Sequence, residues 1–169
     1  MRFVRWIVAG AIGASAIFAY AQVQKSSAVT GEEVARAMNK SVPEVVKVLG
    51  AKSPSFPAGK AEAASRAEII HDFKLVFDAC EPNFRVTPRP FRVDEKALAL
   101  APKASQSELR ELIEWGFVPP YSPLVTNNPD QMTREEFGDA LGYFYNQLAA
   151  LTTQPDPRWT PDLMGVDGE

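Results

Sequence analysis

Two apolar stripes at helical spacing, 68 residues apart and fenced by prolines, limit what this chain can fold into more than any other feature. Ile69, Ile70, Phe73, Val76, Phe77 and Cys80 fall on one face of an α-helix, and Phe137, Ala140, Leu141, Phe144, Tyr145 and Leu148 fall on one face of another. The same shift of 68 lays Ser65-Arg66-Ala67-Glu68-Ile69 on Thr133-Arg134-Glu135-Glu136-Phe137, and carries Phe73 to Leu141, Val76 to Phe144 and Cys80 to Leu148. Pro82, Pro88 and Pro90 forbid helix between the two stripes, so residues 81–90 run extended. Short strand pieces have room only near 84–93. The pattern predicts an all-α domain.

Local signals fill in the rest. Thr30 with Glu33 makes a capping box for a helix over 30–39, and Ser41 with Glu44 makes one for a short helix stopped by Gly50. A Pro-, Ser- and Gly-rich loop spans 51–60. Asp94 caps a short helix over 94–101, and Ser105 with Glu108 opens another that ends at Trp115-Gly116. A second proline-rich loop runs from Pro119 to Pro129. Each half then reads as helix, Gly stop, proline-containing loop, [ST]-R-x-E and helix: repeat one over about 41–80, repeat two over about 105–151. Units that cannot bury their own apolar faces must stack on a neighbour. Residues 153–169, with three prolines and two glycines, form an irregular tail.

The first 21 residues read as a secretory signal peptide. Arg2 and Arg5 precede an uncharged apolar run that closes on Ala19-Tyr20-Ala21. The run is short for a membrane span, which wants about 20 apolar residues, although an uncleaved anchor stays open. Export to the periplasm or the cell surface follows. Arg2 and Arg5 are two of 18 basic residues, so the remainder carries 16 against 21 acidic, a formal charge of −5. That balance, without a basic stripe, argues against nucleic acid as a partner. Cys80 is the only cysteine and sits on an apolar helix face, as an inert core thiol does.

Leu112-Ile113-Glu114-Trp115-Gly116-Phe117-Val118, Asn127-Asn128-Pro129 and Met132-Thr133-Arg134-Glu135-Glu136-Phe137 together resemble the S-layer homology repeat. The likeness is best over 105–148 and weaker over 41–80. It implies noncovalent attachment of an exported protein to anionic cell-wall polysaccharide or a peptidoglycan-linked glycan. It also implies a pseudo-threefold unit of three repeats, with the Arg of T-R-x-E gripping the sugar: Arg134, and less securely Arg66. The family's P-D-G-x-F-x-P loop is replaced by Pro120-Tyr121-Ser122-Pro123. With two repeats in view, the third is either a stub at Pro157-Arg158-Trp159 or is supplied by self-association.

The residues allow two readings of the T-R-x-E box. Thr133 with Glu136, and Ser65 with Glu68, satisfy orphan backbone donors without reference to any ligand. The arginines are not needed for capping and oppose the helix dipole, which is rational where an anion joins them; the other reading is a solvated or salt-bridged Arg. Ser65, Arg66, Thr133 and Arg134 are therefore candidate ligand-binding residues. Tyr121, between prolines, is a candidate sugar-stacking residue, whereas Trp115 and Tyr145 suit the core. Calcium is excluded by spacing, since an EF-hand ending at Glu136 would place Pro129 and Asp130 where a ligand and the Gly belong. One His and one Cys build no metal set, and no nucleophile or phosphate-loop motif is present, so no catalysis and no cofactor are expected. The alternative to a glycan-binding module is a periplasmic or surface domain that binds a protein partner.

Overall fold

A computed structural model describes residues 27–126 and 130–152; residues 1–26, where the signal peptide is expected, Asn127-Asn128-Pro129 and the tail 153–169 lie outside the described residues. The architecture is all-α, as expected. Helix α1 spans Gly31–Val48, α2 spans Arg66–Cys80, α3 is a single turn at Glu95–Leu98, α4 spans Gln106–Glu114, α5 is a turn at Pro123–Thr126, and α6 spans Arg134–Thr152.

Helix α1 corrects one expectation. Instead of two short helices there is one, with Pro43 inside it. The Ser41 hydroxyl donates back to the Ala37 carbonyl at 2.7 Å rather than capping a new helix. Val34, Ala35, Met38, Val42 and Val46 form one continuous buried stripe, whose burial outweighs the cost of a mid-helix proline, about 3 kcal/mol. Gly50 (φ 69°) and Gly116 (φ 78°) then stop α1 and α4 as read from sequence. The Ala51 and Phe117 N–H groups reach back to the Val46 and Leu112 carbonyls, the closing bonds of a Schellman cap.

The predicted Ser105–Glu108 box is absent. Ser105 closes a 3-10 turn with its side chain buried, and the Glu108 carboxylate turns to His71 Nδ1, 3.0 Å away. The segment after α2 begins with a 3-10 turn at Glu81–Asn83 and only then extends. The proline-rich loop before α6 contains the turn α5, where α5's Leu124 and Val125 are buried.

The core is aromatic and joins the two stripes. Phe73 of α2 meets Phe144 of α6 with ring centroids 4.7 Å apart, and Phe117 meets Phe144 at 4.8 Å and Phe77 at 5.3 Å. Trp115 packs edge-on to Phe77, and the half-buried Tyr145 hydroxyl bonds Ser41 at 2.5 Å, so both serve packing. Cys80 is fully buried, and that burial pushes its thiol up to about 11.

The helix entrances are where the elements meet. Thr30, Ser65 and Thr133 each close a capping box, with Glu33, Glu68 and Glu136 respectively. Residues 27–31 lie between the other two entrances. The Val29 N–H donates to the Met132 carbonyl at 2.8 Å, the Ala64 N–H to the Val29 carbonyl at 2.9 Å, and the Gly31 N–H to the Glu62 carbonyl at 3.0 Å. Isolated bridges pair Ala28 with Thr133 and Thr30 with Ala63. Three helices thus enter the domain side by side through the same device.

Candidate functional site: three seams between helix entrances

Each capping box places its next residue, the first of the helix, at a seam with a neighbouring entrance. In α2 that residue is Arg66, only 5 % exposed. Its Nε donates to Asp130 at 2.8 Å and its Nη1 to the Val125 carbonyl at 2.9 Å, with Nη2 3.4 Å from the Leu100 carbonyl. Arg66 therefore ties α2 to the segment leading into α6. Its guanidinium is spent on protein acceptors, which removes it as a ligand-gripping residue.

In α6 the residue is Arg134, which is exposed. Its Nε donates to Glu33 of α1 at 2.8 Å and its Nη1 to the Ser27 hydroxyl. That hydrogen bond, together with one from the Thr30 backbone, holds the Glu33 carboxyl below the usual carboxylate range. An anion would reach Arg134 only by competing with Glu33. The expected pair of equivalent anion sites is therefore not what the two arginines form: each is paired with an acid, and their surroundings differ. Thr133 and Ser65 serve as caps, with their N–H groups and hydroxyls engaged by Glu136 and Glu68.

In α1 the equivalent residue is Gly31, and here the seam is open. Between α1 and the entrance to α2 lies a groove of about 320 Å³, lined among others by Lys60, Glu62, Ala63, Glu68, His71 and Asp72. Its wall is backbone held close: a Cβ on Gly59 would stand 1.9 Å from the Gly31 carbonyl oxygen, and the Glu32 N–H donates to the Lys60 carbonyl at 2.9 Å. The groove presents carboxylates with one lysine and one exposed imidazole. Asp72 is half-buried there, and desolvation lifts its carboxyl to about 6. Such a wall suits hydroxyl or ammonium donors better than anions.

Thr30-Gly31-Glu32-Glu33 is legible in the sequence as a capping box, but not as a third copy of the repeated helix entrance. The signal was present: Val29, Ala64 and Met132 precede the three caps, all buried, and Val34, Ile69 and Phe137 follow the boxes, all buried. The missing Arg concealed it. The third helix entrance thus lies ahead of the other two in the chain, while Pro157-Arg158-Trp159 falls outside the described residues.

Tyr121 stands apart from these seams. Its ring is 69 % exposed, and its hydroxyl donates to Asp94, the cap of α3. That bond lowers the Asp94 carboxyl and raises the Tyr121 phenol. Beside the ring runs a second groove, about 400 Å³, walled by Pro119, Pro120, Leu124, Ala140 and Tyr143, with Glu136 and Asp139 on the α6 side. No described helix is long and apolar enough to cross a membrane, and the described residues hold no cluster of three or more potential metal ligands. Comparisons with family models, curated proteins and solved structures gave no match.

Proposed function

We propose that this chain is an exported, noncatalytic module of the cell envelope that attaches to wall polysaccharide through the groove between its first two helix entrances. The observation that carries the reading is the meeting of three identically capped helix starts around residues 27–31. A three-unit arrangement is what the S-layer homology resemblance implies, and one chain supplies all three entrances without self-association. Two seams are closed by arginine and one is left as a groove.

The groove's chemistry refines the ligand. Glu62, Glu68 and Asp72 accept hydrogen bonds, and Lys60 and His71 supply a mixed polar rim. An uncharged or amino-bearing stretch of glycan suits these groups better than a pyruvyl or phosphate substituent. Arg134 keeps a secondary role at the adjoining seam, where an acidic substituent can replace Glu33 as its partner.

Sedimentation with purified sacculi tests the reading. The wild-type chain pellets with them, Ala63→Trp, which fills the groove from an exposed position, stays in the supernatant, and Arg134→Ala still pellets. A wild-type chain that remains in the supernatant ends the reading, and pelleting of Ala63→Trp ends the assignment to this groove.

A further inference from the structure

The Tyr121 groove belongs to none of the three seams and asks for a different occupant. Its walls are prolines, Leu124, Ala140 and the rings of Tyr121 and Tyr143, the latter 44 % exposed, with the Asp139 and Glu136 carboxylates along one edge. Proline and tyrosine walls with an acidic edge fit an extended, proline-punctuated segment that carries a cation. This chain contains such a segment directly after the helix that forms one wall of the groove. Helix α6, which forms one wall, ends at Thr152, and the sequence continues Thr153-Gln154-Pro155-Asp156-Pro157-Arg158-Trp159-Thr160-Pro161.

The lengths agree. Asp139 lies 13 residues before the end of α6, about 20 Å along the helix axis at 1.5 Å per residue. Six residues of polyproline-type chain, 153–158, reach back about 19 Å at 3.1 Å each. That span would bring Arg158 within side-chain reach of Asp139, and Trp159 toward the proline wall. A tethered segment also needs little intrinsic affinity, because its effective concentration at the groove is in the millimolar range.

We propose that residues 153–161 of this chain dock back along α6 into the Tyr121 groove, with Arg158 facing Asp139 and Trp159 covering the apolar floor. This docking is independent of glycan attachment, which uses the other groove. In the full-length chain, Trp159→Ala raises the tetranitromethane nitration rate of Tyr143 by about threefold or more, the protection expected of a tethered segment docked two-thirds of the time. Arg158→Glu raises it as well. The full-length double variant Asp139→Cys with Arg158→Cys forms a disulfide within one chain. Nitration rates that Trp159→Ala and Arg158→Glu leave unchanged overturn the proposal. So does protection that fades on dilution, which would seat a second copy in the groove, and so does a cysteine pair that oxidises only between chains.

Discussion

Helices α2 and α6 open with the same four-residue pattern and the same capping box, yet Arg66 is 5 % exposed and Arg134 lies at the surface. The box itself is local: a hydroxyl at the cap and a glutamate three residues on find each other in any context. The fate of the residue between them is tertiary. Arg66 meets Asp130, the Val125 carbonyl and the Leu100 carbonyl as three segments close over it, whereas Arg134 meets Glu33 and Ser27 at the rim. At the third entrance glycine replaces arginine, and the seam stays open. One motif thus serves as a buried tie, a surface pair and the edge of a groove.

The contrast is sharpest in stability. Arg66→Ala strands the buried Val125 carbonyl and leaves Asp130 without its partner, costing about 3 kcal/mol. Urea unfolding should show a lower midpoint with an unchanged slope. A loss below about 0.5 kcal/mol would place Arg66 with ordinary surface pairs. The caps should not distinguish the two helices: Ser65→Ala and Thr133→Ala each cost about 1 kcal/mol in the same assay. Unequal costs would show that one box is held by its surroundings instead of by its own bonds.

The groove carries a pH signature. Asp72 ionises near 3.8 in the unfolded chain and near 6 in the folded one, so the unfolded chain sheds its proton first. The contribution of this group is therefore full below about pH 4, falls as pH rises to 6, and stays lost above that. Asp72→Asn flattens that slope and gains about 1 kcal/mol at neutral pH, the full shift being discounted for partial exposure. Unfolding midpoints measured from pH 4 to 7 in both proteins check the sign. The smallest effect belongs to Arg134→Ala, about 0.5 kcal/mol or less. Its readout is the NMR titration of Glu33, whose pKa should rise toward the ordinary value once the guanidinium is gone. The Glu33 contribution has the opposite sign to that of Asp72, being lost as pH falls through its lowered pKa.

Much of the fold could be read from particular residues. The stripes at Ile69–Cys80 and Phe137–Leu148, the glycine stops at 50 and 116, and the caps at Thr30, Ser65, Asp94 and Thr133 are short-range signals that the structure uses as written. What failed was local evidence outvoted by packing. Pro43 and Ser41 argue for a break in α1, and the continuous stripe from Val34 to Val46 overrides them. Ser105 and Glu108 spell a box, and the approach of His71 takes the glutamate away. The site was less legible, because the sequence displays the arginines and hides their partners: Asp130 is 64 residues from Arg66, and Glu33 is 101 residues from Arg134. The open seam is marked by a glycine where the other two entrances have arginine, and such a departure becomes informative only after all three entrances are seen together.

Amide chemical-shift mapping during titration with solubilised wall polysaccharide tests the open groove most directly. Saturable shifts are expected at Gly31, Lys60, Ala63 and His71, smaller ones near Arg134, and none at Leu100, Val125 and Asp130, where Arg66 is tied down. Shifts confined to the Tyr121 groove, or none at saturating polysaccharide, would contradict glycan attachment there.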